Sequence, residues 1–243
     1  MCEQAILQFV NQSISEQEFP PALKYQIIHP QHKKGPKHLL DNFRPITHTD
    51  ELGKILEHAV CSQMIDQCSR NKIFHENVHG GVNGKSVVTA QVHLNEVISE
   101  AMNKKQIAAI VLIDQKAAYD LMDHSTLLGK LAAYNFGQGI LNWLKTYLSR
   151  RKQATQIQIR TSPYKTVGDF GCPQGTVIAG LLYTLFANDF PANNPEETSI
   201  GYVDDPTEIV IAENTQDLAR KTQEQVEKSE KCISDNRIVF FRR

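Results

Sequence analysis

The run Tyr202-Val203-Asp204-Asp205 puts two adjacent carboxylates into a β-branched, strand-like stretch, where an ordinary core strand excludes charge. From Ser199 to Ala212 the chain reads as strand, tight turn, strand, with the Asp pair at the tip and Pro206 just past it. Aspartate is favoured in turns for its own local hydrogen bonding, so taken alone the pair reads as a plain Asx turn. A second source of carboxylate elsewhere in the chain makes it a candidate cation site instead.

That source is Asp114. Ile107 to Ile113 is a continuous apolar run of strand length, the pattern of a strand buried on both faces, and it ends on Asp114. Asp120 and Asp123 follow, and they are explained by capping of a helix that begins near His124-Ser125. Asp114 lies too far into the strand end for that role. Mg²⁺ is typically held by one or two carboxylates together with water and substrate phosphate. Asp114 with Asp204 and Asp205 is therefore expected to form a two-metal site for in-line phosphoryl displacement.

A chain of 243 residues with 41% hydrophobic and 22% charged content has the composition of a globular protein, enough for one extended domain or two lobes. No stretch approaches the ~20 consecutive apolar residues of a membrane span, and Met1-Cys-Glu-Gln lacks a basic signal-peptide start. The expectation is an intracellular chain, cytoplasmic or nuclear, with no membrane partner. Its five cysteines, Cys2, Cys61, Cys68, Cys172 and Cys232, form no C-x-x-C pair and read as free thiols. His75 and His79 have ligand-compatible spacing but no cysteine or histidine partners nearby in sequence, which argues against zinc.

The net charge of -1 argues against a polyphosphate partner, yet the distribution is uneven. Lys145, Arg150, Arg151, Lys152, Arg160 and Lys165 fall in a stretch without acids, whereas Asp189 to Glu208 holds only acids. Such a basic stretch is either a nucleic-acid surface or a solvated face.

The organisation is mixed. An amphipathic start (Ala5 to Ile14) is followed by Phe19-Pro20-Pro21, a short strand Tyr25 to Ile28, and a basic loop, His32 to Lys37. A helix is expected from Thr49, as cap, to Arg70, with Leu52, Ile55, Leu56, Ala59, Val60 and Met64 along one side. Gly80-Gly81-Val-Asn-Gly84-Lys85-Ser86 superficially looks like a phosphate loop, but the spacing is wrong and no buried strand precedes it. Helices are expected over Ser86 to Met102, up to Tyr134, Gln138 to Leu148, Val177 to Asn188 and Asn214 to Cys232. Strands are expected over Ala154 to Arg160, Lys165 to Phe170 and Arg237 to Phe241.

Read in order, these segments resemble the reverse transcriptase domain of non-LTR (LINE-type) retrotransposons. Phe19-Pro-Pro-Ala-Leu-Lys24 and His32-Lys-Lys-Gly35 resemble its opening segment, and Asn42-Phe-Arg-Pro-Ile46 with Leu52-Gly-Lys-Ile-Leu-Glu57 resembles its "NYRPI…LGKILE" signature. Asp114-Gln-Lys-Ala-Ala-Tyr-Asp120, Gly171-Cys-Pro-Gln-Gly175 and Tyr202-Val-Asp-Asp205 resemble motifs A, B and C. The resemblance implies an α+β fold: a polymerase palm with an antiparallel sheet plus helical fingers, the thumb absent. It places a fingers-like part at 1–105 and a palm, truncated at its C-terminus, at 106–243.

By the same resemblance Asp114, Asp204 and Asp205 are the catalytic and metal-binding carboxylates, with Mg²⁺ or Mn²⁺ as cofactor. Arg44, Lys34, Tyr119, Gln174 and Gly175 match nucleotide-binding positions, Tyr119 being the aromatic under the sugar. Lys145, Arg150, Arg151 and Lys152 would face nucleic acid. The implied partners are an RNA template, a DNA primer and a dNTP, with endonuclease and thumb regions belonging to the rest of the element. Three departures stand out: Pro206 after motif C, Ile178-Ala179-Gly180 where the family has a Leu-Gly-Pro-like run, and a tail that stops before the next basic residue. They support an alternative, a catalytically impaired nucleic-acid-binding remnant. A palm-fold nucleotidyl cyclase explains the acids but neither Phe-Arg-Pro-Ile nor Pro-Gln-Gly.

Overall fold

Two sheets organise the chain. In a computed structural model, which describes residues 2–115, 118–190 and 199–236, the order is α1 (Cys2–Ser15), β1 (Tyr25–His32), β2 (Phe43–His48), α2 (Glu51–Asn71), α3 (Val87–Asn103), β3 (Ile107–Leu112), α4 (His124–Ala133), α5 (Gln138–Leu148), β4 (Lys152–Ile157), β5 (Arg160–Thr161), β6 (Lys165–Thr166), α6 (Ala179–Phe186), β7 (Ser199–Ile200), β8 (Thr207–Ala212) and α7 (Thr215–Asp235). They fall into two compact, discontinuous units, Met1–Gln67 with Met122–Ala179 and Cys68–Leu121 with Gly180–Arg243. The strand expected over 237–241 lies outside the described residues.

The first unit contains a mixed sheet in the order β2-β1-β4-β5, with β6 also on β4; β1 and β2 run antiparallel, β1 and β4 parallel. Its core is aromatic: the Phe19 ring meets Trp143 and Tyr147 edge-on at 5.5 and 5.0 Å, and the Trp143 indole N–H donates to Ser13 Oγ at 3.0 Å. Such edge-to-face pairs add about 0.5–1.5 kcal/mol beyond their burial. The expected strand Ala154 to Arg160 is broken, because Gln158 takes a positive φ of 54° and turns β4 back as β5.

Helix α2 begins one residue later than expected. Asp50, not Thr49, accepts the Leu52 N–H, at 2.9 Å. Its buried face is also rotated: Gly53, Leu56, Glu57, Val60, Cys61, Met64 and Cys68 are inside, while Leu52 and Ile55 are exposed. A polar residue at 57 conceals this offset from a count of apolar positions.

Arg151 corrects the basic surface. It is only 2% exposed, and its guanidinium donates to the carbonyls of Leu148, Phe170 and Gly171 at 3.0, 3.0 and 2.6 Å. The group that looked like a nucleic-acid contact is an internal brace. Arg151→Ala is expected to lower stability by about 3 kcal/mol, since buried carbonyls lose a charged donor; a urea unfolding midpoint that fails to move refutes it.

The second unit contains the antiparallel sheet β3-β8-β7. Ile209, Val210 and Ala212 of β8 are buried, and α7 buries Gln225, Ser229, Cys232 and Ile233 at helical spacing. Asn214 caps α7 by accepting the Asp217 N–H, and Ser86 with Thr89 closes a capping box on α3. Strand β3 is not buried on both faces as its apolar run suggests. Among the described residues it pairs only with β8, at the sheet edge, and Leu112 is 77% exposed. An apolar run identifies a strand but not how many neighbours it will have.

Candidate active site

The Asp pair sits on a tight turn in the second unit. The Asp205 N–H donates to Tyr202 O at 3.0 Å, and Val203 takes a φ of 53°. Among the described residues Val203 is the one β-branched residue in that left-handed region, a conformation that costs of order 1–3 kcal/mol and persists only where surroundings impose it.

Those surroundings are the segment Asn77 to Gly81. The Gly201 N–H donates to Asn77 O at 2.9 Å, and the His79 N–H donates to Gly201 O at 2.8 Å. Gly80 lies directly against the turn: a Cβ there would stand 2.6 Å from both Val203 N and Val203 Cγ2. Gly81, at φ 71°, packs against Thr184, whose hydroxyl donates to the Gly80 carbonyl at 3.3 Å. The Gly-Gly pair of the phosphate-loop look-alike is thus a seat for the Asp turn, and its two adjacent glycines were the available signal.

Asp114 arrives at the same end of the sheet. Leu112 pairs with Thr207, and the Ile113 N–H donates to Pro206 O at 3.2 Å, so Asp114 continues the register level with Asp205. Pro206 accepts this bond but has no N–H to return one to the Ile113 carbonyl, so this rung of the ladder carries one hydrogen bond where other residues would make two. Asp114 and Asp205 are exposed and Asp204 is half-buried.

Behind them stands Tyr183 of α6, fully buried, with its hydroxyl donating to Gln115 Oε1. Burial, then the charges of Asp204, Tyr119 and Asp205, push its phenol far above the ordinary value. It therefore stays a neutral donor. The Tyr119 ring lies 5.0 Å from that of Tyr183. Neither Tyr183 nor Gln115 is conspicuous in the sequence; only their position beneath the acids marks them.

The first unit gathers four of the sequence-selected residues around β2. Arg44 is exposed on β2, opposite Gln31, and Lys34 is exposed in the β1–β2 loop. The Thr47 N–H donates to Gln174 O at 2.9 Å, and Gly175 takes a φ of 94°, open only to glycine without strain; a Cβ there would meet Ile46 Cγ2 at 3.4 Å and Thr47 O at 3.6 Å. Of the basic stretch, Lys145 and Arg150 are exposed, whereas the Lys152 ammonium donates to Tyr25 OH at 2.9 Å and sits over that ring. Helix α6 starts at Ala179 and ends at Phe186, shorter than the expected Val177 to Asn188.

The donor set suits a hard cation. Three carboxylates reach solvent at one end of the sheet, and carboxylate, water and phosphate oxygens are what Mg²⁺ prefers. Among the described residues, Asp114, Asp204 and Asp205 included, no three His, Cys, Asp or Glu side chains come together as a group that could hold a metal ion. His79 does not meet His75; instead its Nε2 and His93 Nδ1 share a hydrogen bond at 3.3 Å, while Nδ1 bonds Thr89 Oγ1 at 2.9 Å. His75 serves locally, its Nδ1 accepting the Asn77 N–H.

Burial, with Lys85 and His93 nearby, holds the His79 imidazole below its ordinary pKa, and burial does the same to His124, which bonds Gly171 O at 2.8 Å. Folding therefore favours the neutral form of both. Their contribution is complete above the unfolded value of ~6.5 and is lost as pH falls through the lower folded values. Urea unfolding midpoints should therefore drop from pH 7.5 to 5.5, and His79→Gln should flatten that slope; an unchanged slope refutes the role of His79.

A family model described as reverse transcriptase (RNA-dependent DNA polymerase) matches residues 31–241. The chain belongs to the reverse transcriptase family. It is related to the polymerases of non-LTR retrotransposons. It is 28% identical over 211 residues to the probable RNA-directed DNA polymerase from transposon BS of Drosophila melanogaster, covering 86% of this chain and 22% of that protein. It is 30% identical over 186 residues to the corresponding probable polymerase from transposon X-element (74% and 20%), and 28% identical over 207 residues to the RNA-directed DNA polymerase from mobile element jockey (84% and 22%), both of Drosophila melanogaster. The chain thus spans about a fifth of the length of these reverse transcriptase relatives. The mixed α+β fold resembles that of an apo telomerase from Candida tropicalis truncated from its C-terminal domain, with a TM-score of 0.62 at 12% identity over 90% of this chain and 49% of that one. Among the described residues no helix is long and apolar enough to cross a membrane.

Proposed function

We propose that this reverse transcriptase domain carries out RNA-templated DNA synthesis, joining a dNTP to the 3′-hydroxyl of a DNA primer. The observation that carries the reading is the β3–β8 register, which brings Asp114 level with Asp205 beside Asp204 at one sheet end. Asp114, Asp204 and Asp205 would hold Mg²⁺ or Mn²⁺. When bound, two such ions neutralise the charge that develops on the attacking and leaving oxygens.

The chain's own residues supply position. Tyr183 and Gln115, bonded to each other, form a neutral floor under the acids. Tyr119 is assigned to the sugar, Arg44 and Lys34 to the triphosphate, Gln174 and Gly175 to the base-side edge of the incoming nucleotide. A guanidinium suits phosphate through its bidentate fork. Lys145, Arg150 and Lys152 are assigned to template and primer backbone. The functional labels of fingers for 1–105 and palm for 106–243 follow the order of the motifs.

Primer extension with an RNA template, a DNA primer, dNTPs and Mg²⁺ or Mn²⁺ tests the reading. Incorporation should follow the template sequence and vanish without template. Turnover of nucleotide without template overturns it in favour of another two-metal phosphotransferase. A second reading, a nucleic-acid-binding remnant, draws on Val203 and Pro206 in the turn itself; it expects RNA binding that weakens steeply with salt and no incorporation.

A further inference from the structure

Glu57 is the one acid on the buried face of α2, and it is 0% exposed. Its Oε2 accepts the Val177 N–H at 2.8 Å, and the Ile178 N–H faces the same carboxylate. Its Oε1 accepts the Tyr147 hydroxyl at 3.1 Å. Among the described residues no lysine or arginine forms an ion pair with it. Burial raises its pKa, while these three donors lower it.

An acid without a cationic partner is an expensive way to fill a core position. What it provides is two oxygens that only accept, aimed at consecutive backbone donors of one segment. That segment runs from Gly171 to Ile178 and contains Gln174 and Gly175. It is tied at its middle by the Thr47 N–H to Gln174 O bond and internally by Thr176 Oγ1 to Pro173 O at 2.9 Å. Glu57 ties its far end, just before α6 begins at Ala179. Only Thr176 separates Gly175, at φ 94°, from Val177, and Gln174 is held to β2 by the Thr47 N–H, so slack at Val177 would pass directly to the Gln174-Gly175 turn.

We infer that Glu57 is a positioning residue that holds the Gln174-Gly175 turn in its nucleotide-binding conformation through the Val177 and Ile178 amides. The inference rests on the polymerase reading above for the ligand, and on geometry alone for the anchoring. A leucine at 57 is close in volume and offers no acceptor, so the hold on the backbone amides is lost. Tyr147→Phe removes a buried hydroxyl yet leaves both amides facing the carboxylate.

The test uses the whole chain. Glu57→Leu should raise the dNTP KM in primer extension about tenfold with kcat changed less than about threefold, and should speed amide exchange at Val177 and Ile178 at least tenfold. Tyr147→Phe should lower the unfolding midpoint but leave dNTP KM within about twofold. Equal KM effects in the two variants, or an unchanged KM in Glu57→Leu, overturn the inference while leaving the polymerase reading intact. Absence of incorporation by the wild-type chain overturns both. Should Glu57→Leu fail to fold, the wild-type amides decide: Val177 and Ile178 must exchange as slowly as the core of their unit, and exchange at the rate of an open loop rejects the anchor.

Discussion

Asp204→Ala is expected to abolish measurable primer extension, a loss of roughly 10³-fold, while leaving the fold intact. The side chain is half-buried on a turn and makes no contribution to either hydrophobic core, so the stability change should stay within about 0.5 kcal/mol. Three carboxylates at one end of a sheet repel one another, and removing one relieves that repulsion. The variant should therefore melt at the same temperature or slightly higher in chelator. Mg²⁺ should raise the melting temperature of the wild type, because a ligand of the folded state stabilises by mass action, and should do so less in the variant. Asp114→Ala is expected to behave alike. Incorporation that persists in either variant removes the assignment of the acids.

Gly80→Ala should be nearly as damaging, for a different reason. The added methyl would sit 2.6 Å from the Val203 nitrogen, a backbone atom, so it cannot be accommodated by a side-chain rotation alone. Either the Asn77–Gly81 segment lifts off, breaking the His79 to Gly201 bond, or the turn shifts with both aspartates. Overpacking of this kind costs about 1–3 kcal/mol, and a displacement near 1 Å at a catalytic group can cost about 10²-fold in rate. Urea unfolding and primer extension together check it: a variant with wild-type stability and rate would show that the seat is not needed.

Motif order and the acidic strand ends were legible in the sequence because they depend on local spacing: an apolar run that ends in an acid, a Pro-Gln-Gly turn, a β-branched run interrupted by two aspartates. Family membership followed from that order. Helix and strand positions were also largely local, down to Asp123, whose carboxylate caps α4 by accepting the Thr126 N–H. What was misread depended on partners. Arg151 was read as surface because its neighbours in sequence are basic, yet its ligands are carbonyls as far as 20 residues away. Strand β3 was read as buried because it is apolar, yet burial is a count of neighbours.

The same division separates the two layers of the candidate site. Residue chemistry selected the carboxylates, from an apolar run that ends in an acid and an Asp pair in a β-branched stretch, whereas Arg44 and Gly175 were selected by the resemblance of their segments to the family's motifs. The parts that hold them, Gly80 beneath Val203, Tyr183 beneath the acids and Glu57 behind the Pro-Gln-Gly turn, became visible only in three dimensions. Glycine, tyrosine and glutamate each have ordinary uses in any fold. Their role here comes from long-range contacts, 120 residues apart for Glu57 and Val177, and no local pattern encodes which distant donor a buried acceptor will meet.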